Sequence, residues 1–95
     1  MYVYIIQCSD NSYYTGVTND LDWRLQQHNE GTDTNAYTYK RRPVKLVFYE
    51  MFQNPTDAIA FEKQVKGWRR AKKEALINRR WDLLPELSVS YQKKK

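Results

Sequence analysis

A tyrosine pair, an arginine with a histidine, and one glutamate at an apolar position could do chemistry in this chain. Tyr4 and Tyr14 each sit inside a β-branched and aromatic run, residues 2–7 and 13–17, with the turn residues Ser9-Asp10-Asn11-Ser12 between. A plain sheet aromatic explains either tyrosine alone. A shared site needs both phenols on one face, and parity decides that. A two-residue loop points them to opposite faces; an odd loop, such as Asp10-Asn11-Ser12, points them to the same one. Arg24 and His28 are four apart and share a helix face with Leu21 and Leu25. They offer a fixed cation beside a group that titrates near neutrality. The plain alternative is a solvent-facing Arg and a His covering the sheet edge.

Glu62 is the most telling residue. On a helical projection it falls between Ala58 and Ile59, inside the apolar arc that Phe61, Val65 and Trp68 continue. A carboxylate there is costly unless it is paired or bound to a cation. Lys66 and Arg69 project on either side of it, so a salt bridge is one reading. A metal ligand is the other, because one carboxylate with waters and a substrate phosphate suits Mg²⁺. The stretch Lys63, Lys66, Arg69, Arg70, Lys72, Lys73, Arg79 and Arg80, with Lys40-Arg41-Arg42, could track a phosphate backbone or be a solvated face.

The elements that must position these residues read in the order β-β-α-β-α-α. Residues 2–7 form a strand buried on both faces, expected to be central, and 13–17 pair with it. Gly16 inside the second strand signals a bulge or a close backbone approach. Thr18-Asn19-Asp20 starts a helix over 20–30, with Gly31 just past its end. Residues 32–43 form a polar loop closed by Pro43, and 44–51 a third strand. Asn54-Pro55 starts a helix to about Lys66, Gly67 weakens it, and a third helix runs from about Arg70 to Arg79. The fold class is α+β: a small, mostly antiparallel three-stranded sheet flanked by helices.

Ninety-five residues make one core, read as a module over 1–81 and a partly disordered basic extension over 82–95. Sixteen Lys and Arg against 11 Asp and Glu leave a net charge of +5, which favours a polyanionic partner. The single cysteine, Cys8, allows no intrachain disulfide or Cys-rich zinc site and suits a reducing, cytoplasmic setting. No apolar run is long enough to span a membrane and no secretory signal is expected. There is no Gly-rich phosphate loop, HExxH or G-x-S-x-G, and the lone His28 excludes a multi-histidine metal site.

Taken together, Tyr2-Val3-Tyr4, Tyr14-Thr15-Gly16, the Thr18-Asn19-Asp20-Leu21 run into a helix with Arg24 and His28, the loop from Arg41 to Val47, and Glu62 resemble the GIY-YIG nuclease superfamily. The likeness covers roughly residues 1–80 and is greatest to small stand-alone bacterial members. It implies hydrolysis of nucleic-acid phosphodiesters, DNA more than RNA, with branched or damaged structures as candidate substrates. It implies one divalent ion, Mg²⁺ or Mn²⁺, held by Glu62. Tyr4 would help activate the attacking water, Tyr14 would orient water or substrate, and Arg24 would stabilise phosphate charge. His28 would assist proton transfer. Lys40, Arg41, Arg42, Lys66, Arg69 and Arg70 would bind the nucleic acid. A neutral phenol is a poor base, so Tyr4 needs help from His28, from nearby cations or by relaying the proton, and the sequence leaves these open. Three departures stand out: Tyr2 replaces the first motif's Gly, Thr15 the second motif's Ile, and Val17 a Lys carried by some members. With no recognition domain attached, a protein partner could supply specificity. The alternative is a non-catalytic nucleic-acid-binding module on the same fold; a weaker one is a protein-interaction module using the apolar residues after Trp81.

Overall fold

Turn chemistry sets the register on which the site depends. In the computed structural model, which describes residues 1–79, β1 (Tyr2–Gln7) and β2 (Tyr13–Thr18) pair antiparallel. The Cys8 N–H donates to the Ser12 carbonyl at 2.8 Å and the Asn11 N–H to the Cys8 carbonyl at 2.9 Å. Asn11 is left-handed, with φ 69°, a conformation asparagine reaches with little strain. Asp10 Oδ1 ties the turn by accepting from the Ser12 N–H at 3.1 Å and hydroxyl at 2.6 Å. The loop proper is Ser9-Asp10-Asn11. It is odd, as a shared tyrosine face requires, and lies one residue earlier than the loop suggested from sequence. Tyr4 stands opposite Gly16 and Ile6 opposite Tyr14, so both phenols share a face.

β3 (Lys45–Met51) pairs antiparallel with the other edge of β1, giving the sheet order β2-β1-β3 with β1 central. The ladder shifts register between Ile5 and Ile6. The strand begins at Lys45 because Asn29 captures the Val44 backbone: its side chain accepts the Val44 N–H at 2.8 Å and donates to the Val44 carbonyl at 3.1 Å.

The sheet separates two apolar layers. Ile5 and Phe48 pack with Val65, Ala75 and Leu76 from α2 (Pro55–Lys66) and α3 (Arg70–Ile77). Tyr4, Ile6, Cys8 and Val44 pack on the opposite face with Leu21 and Leu25 of α1 (Leu21–Glu30). Fully burying one such aliphatic side chain is worth about 1.5–3 kcal/mol, so the two-sided burial of β1 anchors both layers. The architecture is the expected α+β order. The motif departures concern packing: Tyr2 packs edge-on against Tyr49 at 6.1 Å, and Thr15 is buried opposite Ile5. The Thr15 hydroxyl has no hydrogen-bond partner among the described residues.

Helix ends follow local chemistry. Asp20 caps α1, accepting the Trp23 N–H at 3.1 Å, and Gly31 ends it at φ 70°. Asn54 caps α2 through the Thr56 N–H at 2.8 Å, and Gly67 ends it. Trp68 and Arg69 therefore lie beyond α2, and the helical projection does not extend to them. Ile59, expected on the apolar arc, is 41% exposed; the buried face of α2 ends at Glu62. α3 closes at Ile77, two residues before the expected Arg79. The loop 32–43 contains a 3-10 turn over Tyr39–Arg41. No helix among the described residues is long and apolar enough to cross a membrane. The proposed extension over 82–95 and the apolar residues after Trp81 lie outside the described residues.

Candidate active site

The site is built on a glycine. Tyr4 is buried in the α1-facing layer, and its ring lies against the β2 backbone at Gly16. A Cβ at Gly16 would stand 2.5 Å from Tyr4 Oη and 2.7 Å from Cζ. The signal of Gly16 is thus a close approach; the β1–β2 ladder runs without a bulge.

α1 supplies two partners for the phenol. Arg24 Nε donates to Tyr4 Oη at 3.3 Å, and His28 Nε2 lies 3.1 Å from the same oxygen. The four-residue spacing on one helix face lets both reach one atom. Arg24 also donates from Nη1 to Gln27 Oε1 at 3.0 Å. His28 Nδ1 lies 2.9 Å from Thr38 Oγ1. Burial pushes the Tyr4 phenol above its ordinary pKa, while the hydrogen bond and charge of Arg24 pull it back. Burial, then the charge of Arg24, hold His28 below its ordinary value, so the imidazole is neutral at pH 7. A neutral imidazole accepts a proton at whichever ring nitrogen carries the lone pair.

Tyr14 closes the cluster. Its ring centroid lies 6.4 Å from that of Tyr4 and 5.4 Å from that of His28, and it stacks on Tyr37 at 6.0 Å. Lys66 Nζ lies 5.4 Å from the Tyr14 centroid on α2 and pairs with Glu62 Oε2 at 3.0 Å. Glu62 is 9% exposed, and its charge acts against ionisation of Tyr4. Tyr4, Arg24 and His28 are thus joined by hydrogen bonds. Tyr14 joins them through ring contacts, and Glu62 through Lys66 and its field at Tyr4. Lys66, anticipated both as a salt-bridge partner of Glu62 and as a phosphate contact, makes that salt bridge and brings a cation to a site where Val17 replaces a lysine.

Among the described residues no three His, Cys, Asp or Glu side chains gather as a metal cage. A divalent ion here would take Glu62 as its one carboxylate, with waters and substrate oxygens completing the shell. The donor set fits Mg²⁺ or Mn²⁺, which accept hard oxygens and keep several waters. Lys66 holds the position that such a cation would contest.

The anticipated phosphate-binding residues divide into two groups. Lys40 and Arg69 are exposed and make no ion pair among the described residues. Arg41 instead pairs with Asp10 at 3.1 Å and covers the Tyr37 ring at 4.0 Å. Arg42 donates to the Tyr39 carbonyl at 2.8 Å and covers the Tyr39 ring. Arg70 pairs with Glu74 at 3.0 Å above the Tyr13 ring. Thr38, Tyr37 and Gln27 were not singled out from sequence. Nothing in the polar run distinguishes Thr38 from Thr32 or Thr34 until the loop folds over α1.

Residues 1–75 match the sequence profile described as the GIY-YIG catalytic domain. The chain belongs to the GIY-YIG family. UPF0213 proteins of Staphylococcus aureus strains Mu50 and N315 are similar to it, each 43% identical over 79 residues, covering 83% of this chain and 95% of theirs. The solution NMR structure of a UPF0213 protein from Bacillus halodurans is 36% identical and superposes with a TM-score of 0.55, covering 96% of this chain and 97% of that one. The GIY-YIG domain places the chain in a nuclease superfamily. The GIY-YIG tyrosines, as Tyr4 and Tyr14 here, are the ones that the odd hairpin loop brings to one face.

Proposed function

We propose that this chain is a metal-dependent endonuclease that hydrolyses DNA phosphodiester bonds, with branched or damaged duplexes as its substrates. The observation that carries the reading is the Tyr4 hydroxyl held between Arg24 Nε and His28 Nε2, with the Glu62 carboxylate in electrostatic reach. Tyr4 Oη takes a proton from the attacking water as it passes its own to His28 Nε2. This relay answers the weakness of a phenol as a base, because the proton ends on the imidazole. Arg24 keeps N–H groups beside the reacting oxygen and stabilises negative charge on the phosphate. Tyr14 walls the site and orients the water or the phosphate. A single Mg²⁺ or Mn²⁺ on Glu62 would polarise a phosphate oxygen. Lys40 and Arg69 are free to meet flanking phosphates, and a protein partner supplies further specificity. Buried, unpaired Cys8 suits the reducing cytoplasm as the place of action.

The Lys66–Glu62 pair favours a second reading, a nucleic-acid-binding module that no longer cuts, because the carboxylate already has a cation. Metal removal separates the two. Supercoiled plasmid is expected to be nicked with Mg²⁺ or Mn²⁺, to be left intact with a chelator, and to be nicked again when metal is restored. Binding that persists in both conditions with no nicking in either would establish the second reading.

A further inference from the structure

We infer that Thr38 is a positioning residue that fixes His28 in the Nδ1–H tautomer, leaving the Nε2 lone pair facing Tyr4. The inference rests on the relay proposed above and names the residue that would set its direction. An arginine Nε can only donate, so Tyr4 Oη accepts from Arg24 at 3.3 Å, and turning its own proton to His28 Nε2 at 3.1 Å satisfies both contacts. In that arrangement Nε2 carries a lone pair and Nδ1 the proton. The acceptor for that proton is Thr38 Oγ1 at 2.9 Å. In the opposite tautomer Nε2–H would point at Tyr4, and the imidazole could take no proton from it.

Thr38 is built to hold this role. It is 1% exposed, and His28 is 8% exposed. The Thr38 carbonyl accepts the Arg41 N–H at 2.9 Å, starting the 3-10 turn. That turn is held over the end of α1. Arg42 donates to the Tyr39 carbonyl at 2.8 Å and to the Asn29 carbonyl at 3.4 Å, and Asn29 holds the Val44 backbone. The side chain is β-branched and stiff at χ1. Which ring nitrogen carries the proton is set by the hydrogen bond its neighbour makes.

His28 is the only histidine, so long-range ¹H–¹⁵N correlation spectra of the labelled protein read its tautomer directly. The wild type is expected to show the Nδ1-protonated pattern at neutral pH, and Thr38→Ser to keep it. Thr38→Val keeps the shape and removes the acceptor; it is expected to move the pattern toward Nε2–H. Turnover is expected to fall about 10- to 100-fold in Thr38→Val, a cost comparable to losing the outer partner of a functional histidine, and to recover in Thr38→Ser. An Nε2–H pattern in the wild type overturns the inference, and this needs no variant to fold. An unchanged Nδ1–H pattern in folded Thr38→Val overturns it too. The spectra do not depend on cleavage. If they behave as expected while the wild type cuts nothing with metal, the nuclease reading fails and the role of Thr38 stands.

Discussion

Tyr4→Phe is expected to lower turnover by about 10²- to 10⁴-fold, the span a positioned proton-transfer group contributes, while DNA affinity changes little. The substitution deletes one oxygen. That oxygen is the common partner of Arg24 and His28, so its loss breaks the path from water to imidazole and leaves both side chains without their shared partner. The ring remains to fill the space over Gly16, so the fold survives. The measurements are single-turnover cleavage and a binding isotherm on the same duplex. Wild-type turnover from Tyr4→Phe would exclude the phenol from the proton path. The same path gives a pH dependence. Burial and Arg24 depress the His28 pKa, so the proton-accepting imidazole persists at neutral pH and cleavage falls as pH drops through that lowered value. Stability shares the sign. A histidine with a depressed folded pKa contributes stability fully present above its unfolded pKa, about 6.5, and lost as pH falls through the folded one.

Gly16→Ala is expected to disable the site from the opposite side of the same ring. The added methyl would sit 2.5 Å from Tyr4 Oη. A buried tyrosine ring held by two partners does not swing aside as a flexible chain end does, so the phenol must be displaced or the strand must move. Overpacking of this kind costs about 1–3 kcal/mol in stability. A displacement near 1 Å costs about 10²-fold in rate. The expected result is a lower Tm together with a turnover loss of that order. An unchanged Tm and full activity would show that Tyr4 does not need the bare backbone at Gly16.

How much of this was legible before the structure depended on the range of the force involved. Local chemistry was readable: Asn54-Pro55 starts α2, and Gly31 ends α1 with a left-handed residue. The parity of the hairpin was readable as a choice, and the αL conformation of Asn11 made it. Periodicity found Glu62 at the edge of a buried face but overstated the arc. Ile59 is exposed because the buried residues of α2 are Ala58, Glu62 and Val65, and Ile59 lies beyond that face. The intrachain partners of Arg41 and Arg42 were not readable, since charge in a polar loop carries no sign of its partner. Asp10 and two tyrosine rings claim them only once the loop is folded. Thr38 was invisible for the same reason. Its partner is ten residues away on a helix, and a hydroxyl has no periodicity to betray it.

The central claim is that Glu62 and the tyrosine cluster form a metal-dependent phosphodiesterase site. It is tested most directly by cleavage of supercoiled plasmid and of a branched duplex with Mg²⁺ or Mn²⁺, comparing wild type with Glu62→Ala and following binding on the same samples. The account predicts cleavage by the wild type, loss of cleavage in Glu62→Ala, and binding preserved in both. Equal cleavage by the two proteins would contradict it.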